Sequence, residues 1–292
     1  MTGPWVFDHV VVGASDPDAT ADFFAHFGFA VSARSGLSEG AAAAYGLAVG
    51  APAVELSVPG AESGRIRLIG SELAADEYSQ YAPRVEALDL YTRDMAASLA
   101  LIEQAGLVTV GPAADFPFGP LRLQQVAVHG PDGVMLVLVD INHRLPSVLD
   151  DTAPDSAELL HSELHSVVCV VDDLDAATTF FTDAGLELRA TFPLAEPAVP
   201  AFMGLPRPST MRMSVLGNTG SAPPRFELLQ FDDEPAPARP SLPLRPGALL
   251  PVFVADVNAA ADSLQGAVRF DDAVVGVTAH GVPVQVQSEP LR

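Results

Sequence analysis

Residues 163–181 read ELHSVVCVVDDLDAATTFF. An apolar run, LHSVVCVV, is long enough for a strand. The pair Asp172 and Asp173 breaks it, and an acidic side chain at that point is a natural N-cap for a helix behind it. A helix with the paired aromatics Phe180 and Phe181 then follows, and Gly185 supplies a C-terminal stop. The stretch therefore predicts strand, acidic turn, helix, glycine. It also places a histidine, His165, near the start of the strand, where an imidazole is a natural metal ligand.

The same order recurs. Residues 8–29, DHVVVGASDPDATADFFAHFGF, repeat it with Gly28 as the stop. Residues 87–107, ALDLYTRDMAASLALIEQAGL, and 249–266, LLPVFVADVNAAADSLQG, are weaker copies. Repeats of this kind decide architecture before any single element does. After each helix come short alternating segments such as RIRLI, LRLQQVAV, VMLVLVDI, TMRMSVL, RFELLQF and VPVQVQ. Alternation with period two, bounded by Gly and Pro, predicts strands.

The fold class expected is α+β: four βαβββ units paired into two domains, each an open cup-like mixed sheet with helices outside. The units span about 5–80, 85–143, 162–234 and 247–290. The polar, proline-bearing stretch 144–160 reads as a linker. Residues 1–145 then form an N-terminal domain, 146–161 the linker, and 162–292 a C-terminal domain. A second Pro-rich stretch, 232–247, reads as a surface loop.

Composition narrows the function classes. The chain has 292 residues, 49% hydrophobic, with 15 Lys+Arg against 37 Asp+Glu, a net charge of -22. Such a surface repels nucleic acid and anionic membranes. No apolar run approaches the ~18 residues of a membrane span, and the opening residues MTGPWVFDHVVV lack the pattern of a secretory signal. One cysteine, Cys169, fits a reducing cytoplasm and, inside an apolar strand, reads as a buried inert thiol. Phosphate-cradling loops of the GxxxxGK or GxGxxG type and a GxSxG elbow are absent from the sequence.

The recurring units, together with HGPDGVMLVLVD at 129–140, resemble the vicinal oxygen chelate superfamily over essentially the whole chain. That group includes glyoxalase I, bleomycin-resistance proteins and extradiol dioxygenases. The four-unit layout is most similar to the dioxygenases. The resemblance implies that paired units form a cup, and that a divalent metal in the cup takes ligands from first and last strands. Carried over residue by residue, the first-strand positions fall on His9, Ala87, Ser166 and Leu249. The last-strand positions fall on Arg67, Val137, Glu227 and Gln285.

With the first two units sharing one cup and the last two the other, neither set is complete. Arginine stays protonated, and alanine, valine and leucine offer no donor. No cofactor is expected on this count, although a divalent metal stays open with an incomplete ligand set. In this register Ser166 faces the cup and His165 faces away. A one-residue bulge would return His165 to the cup and permit an unorthodox set of His165, Glu227 and Gln285.

Glu227 is the catalytic candidate, because a carboxylate held inside needs a partner or a raised pKa, and either suits acid–base work. Pairing with an interior arginine such as Arg212 is the alternative. Ser166, Gln285, His9 and Arg67 are candidate substrate contacts. So are Phe202, Met203, Met211 and Met213, which belong to a Pro-stiffened insert at 192–215 and read as adaptable apolar walls or as core. His129, His143 and His161 read as surface residues. Three functions stay open. One is a metal-independent lyase or isomerase acting on a small, largely apolar oxygenated metabolite. The second is a non-catalytic sequestering protein. The third is a metal-dependent dioxygenase or glyoxalase-type lyase. The partner in each is a small molecule, with homo-oligomerisation left open.

Overall fold

The first helix of every unit begins on the predicted acidic cap. The Asp16 side chain accepts from the backbone N–H of Asp18 and Ala19, Asp94 from Ala97, Asp173 from Ala176, and Asp256 from Asn258 and Ala259. These bonds satisfy donors that the first helical turn leaves orphaned. The predicted stops also hold: Gly28 and Gly185 take φ of 93° and 108°, the left-handed region that glycine enters without a Cβ clash.

The computed structural model describes residues 4–75, 84–118, 121–144, 146–150, 158–205, 209–220, 224–232 and 242–291. Most of the loop at 232–247 and part of the linker at 151–157 lie outside them. The first unit comprises β1 (Val6–Ala14), α1 (Pro17–Ala25), β2 (Ala30–Gly36), α2 (Glu39–Tyr45), β3 (Pro52–Ser57) and β4 (Arg65–Gly70). The second has β5 (Arg84–Thr92), α3 (Met95–Gln104), β6 (Val108–Thr109), β7 (Ala114–Phe118), β8 (Leu121–His129) and β9 (Met135–Ile141). The third has β10 (His161–Val170), α4 (Leu174–Asp183), β11 (Glu187–Leu194), α5 (Ala198–Phe202), β12 (Met211–Gly217) and β13 (Arg225–Phe231). The fourth has β14 (Leu249–Val254), α6 (Val257–Ser263), β15 (Gln265–Phe270), β16 (Ala273–Val277) and β17 (Pro283–Gln287). The α+β class and the four units stand as expected.

The pairing of units departs from chain order. One sheet runs β15-β16-β17-β14-β1-β4-β3-β2, and the other β11-β12-β13-β10-β5-β9-β8-β6, with β7 on β8. The first unit thus shares a sheet with the fourth, and the second with the third. The seams are antiparallel pairs of first strands, β1 with β14 and β5 with β10. The expected grouping of cups into an N-terminal and a C-terminal half is corrected accordingly. The stretch read as a linker joins two units of one sheet. Its described part is docked, with Val148 and Leu149 buried and the Val148 N–H donating to Glu163.

The two sheets share a large core. Trp5, Phe7, Phe181, Phe226 and Phe253 meet there, with ring centroids 4.8 Å apart for Phe181 and Phe226 and 5.2 Å for Phe7 and Phe253. The opposite face of each sheet forms a cup, and the two cups differ in content. In the first sheet α2 packs its Ala41, Ala42, Ala44 and Tyr45 against Val11, Ile69, Leu250 and Val252, so the cup is filled. In the second sheet the cup holds an open chamber.

Candidate functional site

The chamber of the second sheet has a volume of about 440 Å³. Phe116 on β7, Leu123 on β8, Val137 and Val139 on β9, and Met211 and Met213 on β12 form its apolar walls. The insert at 192–215 contributes α5, whose Val199 and Phe202 line the chamber with Met203 just beyond. All four insert residues singled out from sequence (Phe202, Met203, Met211 and Met213) therefore border one cavity.

Its polar end is built by strand periodicity and two bulges. Ala87, Asp89 and Tyr91 alternate on one face of β5, and Arg225, Glu227 and Leu229 on one face of β13. On β10, Leu164 pairs with Leu90 and Ser166 with Asp89, so His165 is an extra residue in the ladder. On β5, Val168 opposes Ala87 and Cys169 opposes Val85, so Glu86 is extra. Both extra residues line the chamber. The expectation that His165 faces away is overturned by this bulge, which re-aims the side chain. Ser166 stays on the same side as well, because its hydroxyl donates to Asp89 Oδ2 at 3.1 Å.

Asp89, His165 and Glu227 form a cluster whose carboxylate oxygens and imidazole nitrogen lie within 4.8 Å of one another. Burial, then the charge of Glu227, push the Asp89 carboxyl well above its ordinary range, with the Ser166 hydrogen bond acting the other way. Asp89 Oδ1 is buried and, among the described residues, has no hydrogen-bond partner. Burial likewise raises Glu227, partly offset by Ser166 and by Arg225. Glu227 keeps some accessible surface and lines the chamber, while its carboxylate is desolvated by the surrounding protein. His165 is held well below its ordinary pKa, by burial first and then by the Arg225 charge. It is stacked on Tyr91 with centroids 3.8 Å apart.

Arg225 is buried and lines the chamber beside these groups. Its Nη1 donates to His165 Nδ1 at 2.9 Å and to Tyr91 Oη at 3.5 Å. The alternative partner weighed for Glu227, Arg212, instead points outward to Asp175 at 3.5 Å and Gln230 at 2.8 Å. Cys169 is buried, and burial pushes its thiol up, as expected of an inert group.

The remaining candidates belong to the filled cup. Gln285 is on β17, where its Oε1 accepts from the Tyr45 hydroxyl, so it cannot share a ligand set or a pocket floor with His165 and Glu227. His9 is buried, its Nδ1 2.8 Å from Asp8. Arg67 lies 4.0 Å from Glu55. Tyr45, buried by the same packing, has its hydroxyl pushed up to about 12. His161, read from sequence as a surface residue, is buried against Phe27 with Nε2 3.0 Å from Ser98 Oγ.

A metal in the open cup would find Ala87, Val137, Ser166 and Glu227 at the positions the resemblance implies. The cluster of Asp89, His165 and Glu227 is a different donor set, adequate in type. Two features oppose it. The Nδ1 of His165 accepts from Arg225, which leaves the ring hydrogen of the neutral imidazole on Nε2. The permanent guanidinium charge also sits beside the place a dication would take. These residues do not fit the group as they stand.

Asp89 and Glu86 were missed in the sequence. Asp89 was readable, since it stands two residues beyond Ala87 and so on the same strand face. Glu86 reaches the chamber only through its bulge.

Comparison with solved structures agrees with this architecture. Glyoxalase I from Zea mays superposes with a TM-score of 0.62 at 13% identity, over 97% of this chain and 92% of that one. A Bacillus subtilis protein described as a candidate dioxygenase gives a TM-score of 0.65 at 11% identity, over 100% and 87%. The fold is the one that these two structures share. No family model matches the sequence, and no curated protein matches it. Among the described residues no helix is long and apolar enough to cross a membrane.

Proposed function

We propose, from a fold shared with glyoxalase I and an open chamber in one of its two cups, that this protein is a metal-independent enzyme of the reducing cytoplasm. It acts on a small, largely apolar, oxygenated molecule by moving a proton, as in a lyase or isomerase step. The observation that carries this reading is the pair of desolvated carboxyls, Asp89 and Glu227, at the polar end of an otherwise apolar chamber. Two like-charged groups so close do not both ionise readily, so the pair holds a shared proton to higher pH than an ordinary carboxyl would. Glu227, which lines the chamber, is the group that exchanges it with the substrate. Ser166, bonded to Asp89, holds the second carboxyl in place. The apolar walls offer water few hydrogen bonds, which favours strong interactions at the polar end.

Glu227→Gln keeps the shape and removes the transferable proton. Turnover of a substrate found by screening should fall by roughly 10²-fold or more, with the dissociation constant changed little. If turnover persists, the catalytic assignment is wrong, and a protein that merely sequesters its ligand would show binding alone in both forms. Elemental analysis of purified protein should find Fe, Mn, Ni and Zn far below one per chain. A stoichiometric metal lost in Asp89→Asn would refute the metal-free reading.

A further inference from the structure

The polar end of the chamber carries more acid than base. Glu86, Asp89 and Glu227 line it, and Arg225 is the guanidinium among the lining residues. Glu86 is ion-paired with Arg84. His165 is neutral, by burial and by the neighbouring Arg225. That leaves Asp89 and Glu227, which share a proton in the free protein, beside one guanidinium that points Nη1 at His165 and Tyr91.

Asp89 is the more informative of the two acids. Its Oδ2 accepts from Ser166, but Oδ1 is buried without a hydrogen-bond partner among the described residues. A buried acceptor left unmatched is costly, and a charged donor is the partner that offsets this cost most. An anionic ligand would add negative charge to a corner where two desolvated carboxyls already resist ionising together. A neutral hydroxyl would satisfy Oδ1 but leave the two carboxyls sharing their proton. A protonated amine satisfies Oδ1 and favours the ionised form of Asp89, the shared proton leaving to solvent. The opposite walls, with Phe116, Phe202, Met203, Met211 and Met213, suit an apolar skeleton attached to it. The net charge of -22 also draws cations toward the protein and repels anions.

We propose that the chamber takes a hydrophobic amine, with Asp89 Oδ1 as the anchor of its ammonium group. This rests on the chamber being the ligand site, and it leaves Glu227 to act on the part of the molecule next to the amine. Asp89 is then the residue that sets ligand class.

The test is a matched trio of probes, 4-phenylbutylamine, 4-phenylbutan-1-ol and 4-phenylbutyrate, titrated calorimetrically into the full chain at pH 7. The amine should bind at least about tenfold tighter than the alcohol, and the carboxylate weakest. Asp89→Asn should bring the amine to the level of the alcohol while the alcohol is unaffected. If the alcohol or the carboxylate matches the amine, the amine assignment is lost and the chamber survives as an apolar site. If the preference for the amine persists in Asp89→Asn, Asp89 is not the anchor. If none of the three binds at millimolar concentration, both the chamber reading and the amine assignment fail. The ranking on the unaltered protein decides the ligand class even if the variant does not fold.

Discussion

Asp89 and His161 are buried titratable groups with opposite consequences for stability. The Asp89 carboxyl is raised in the folded protein, so the folded state holds a proton that the unfolded chain releases near pH ~4. Stability therefore declines as pH rises from the ordinary carboxyl range toward the raised folded value. Asp89→Asn should flatten that decline, seen as a smaller drop in urea midpoint between pH 4 and pH 8 than in the parent. His161 is lowered to about 4 by burial. Its contribution is complete above the unfolded value near 6.5 and is lost as pH falls toward 4, up to roughly 3 kcal/mol. His161→Gln should reduce the acid sensitivity between pH 6.5 and pH 4 in the same assay, and an unchanged slope would mean His161 is not the group responsible.

At the level of elements, the two cups diverge because of one helix. In the first sheet α2 is tied down by Tyr45, whose hydroxyl donates to the buried Gln285, and by the Leu244 N–H donating to the Tyr45 carbonyl. Tyr45→Phe should cost about 1–3 kcal/mol, because Gln285 Oε1 is then left unmatched. Chemical denaturation reads this, and a neutral result would show that water replaces the hydroxyl. In the second sheet α5 stands aside and lines the chamber. This difference was hard to read in advance: the residues of the insert at 192–215 read equally as adaptable apolar walls or as core. What was legible were the features that repeat locally, namely the Asp caps, the glycine stops and the period-two strands. Glu227 was legible for the same reason, as an acid inside an alternating apolar strand. The inward turn of His165 was not, since a bulge is a property of the pairing and leaves no periodic mark on one strand. The group around Gln285 was misassigned because partner choice between units depends on long-range contacts that no single segment encodes.

Across the whole molecule, each half of the chain contains one strand from each seam: β1 and β5 before the 144–160 stretch, β10 and β14 after it. Cut there, neither half can complete a sheet. Residues 1–145 and 146–292, produced separately, should be aggregated or poorly folded, and mixing them should restore a 1:1 complex with native circular dichroism. A stable, monomeric, folded half would contradict the pairing. The nesting also sets an order of assembly on the ribosome. The sheet that carries the chamber has all its strands once residue 231 has emerged, whereas β1, among the first segments made, waits for β14 near residue 250 and its sheet for β17 at the far end. The earliest strand can pair with β4 once residue 70 has emerged, but its other edge stays open until β14 is made, the interval in which such a chain is most open to misassembly.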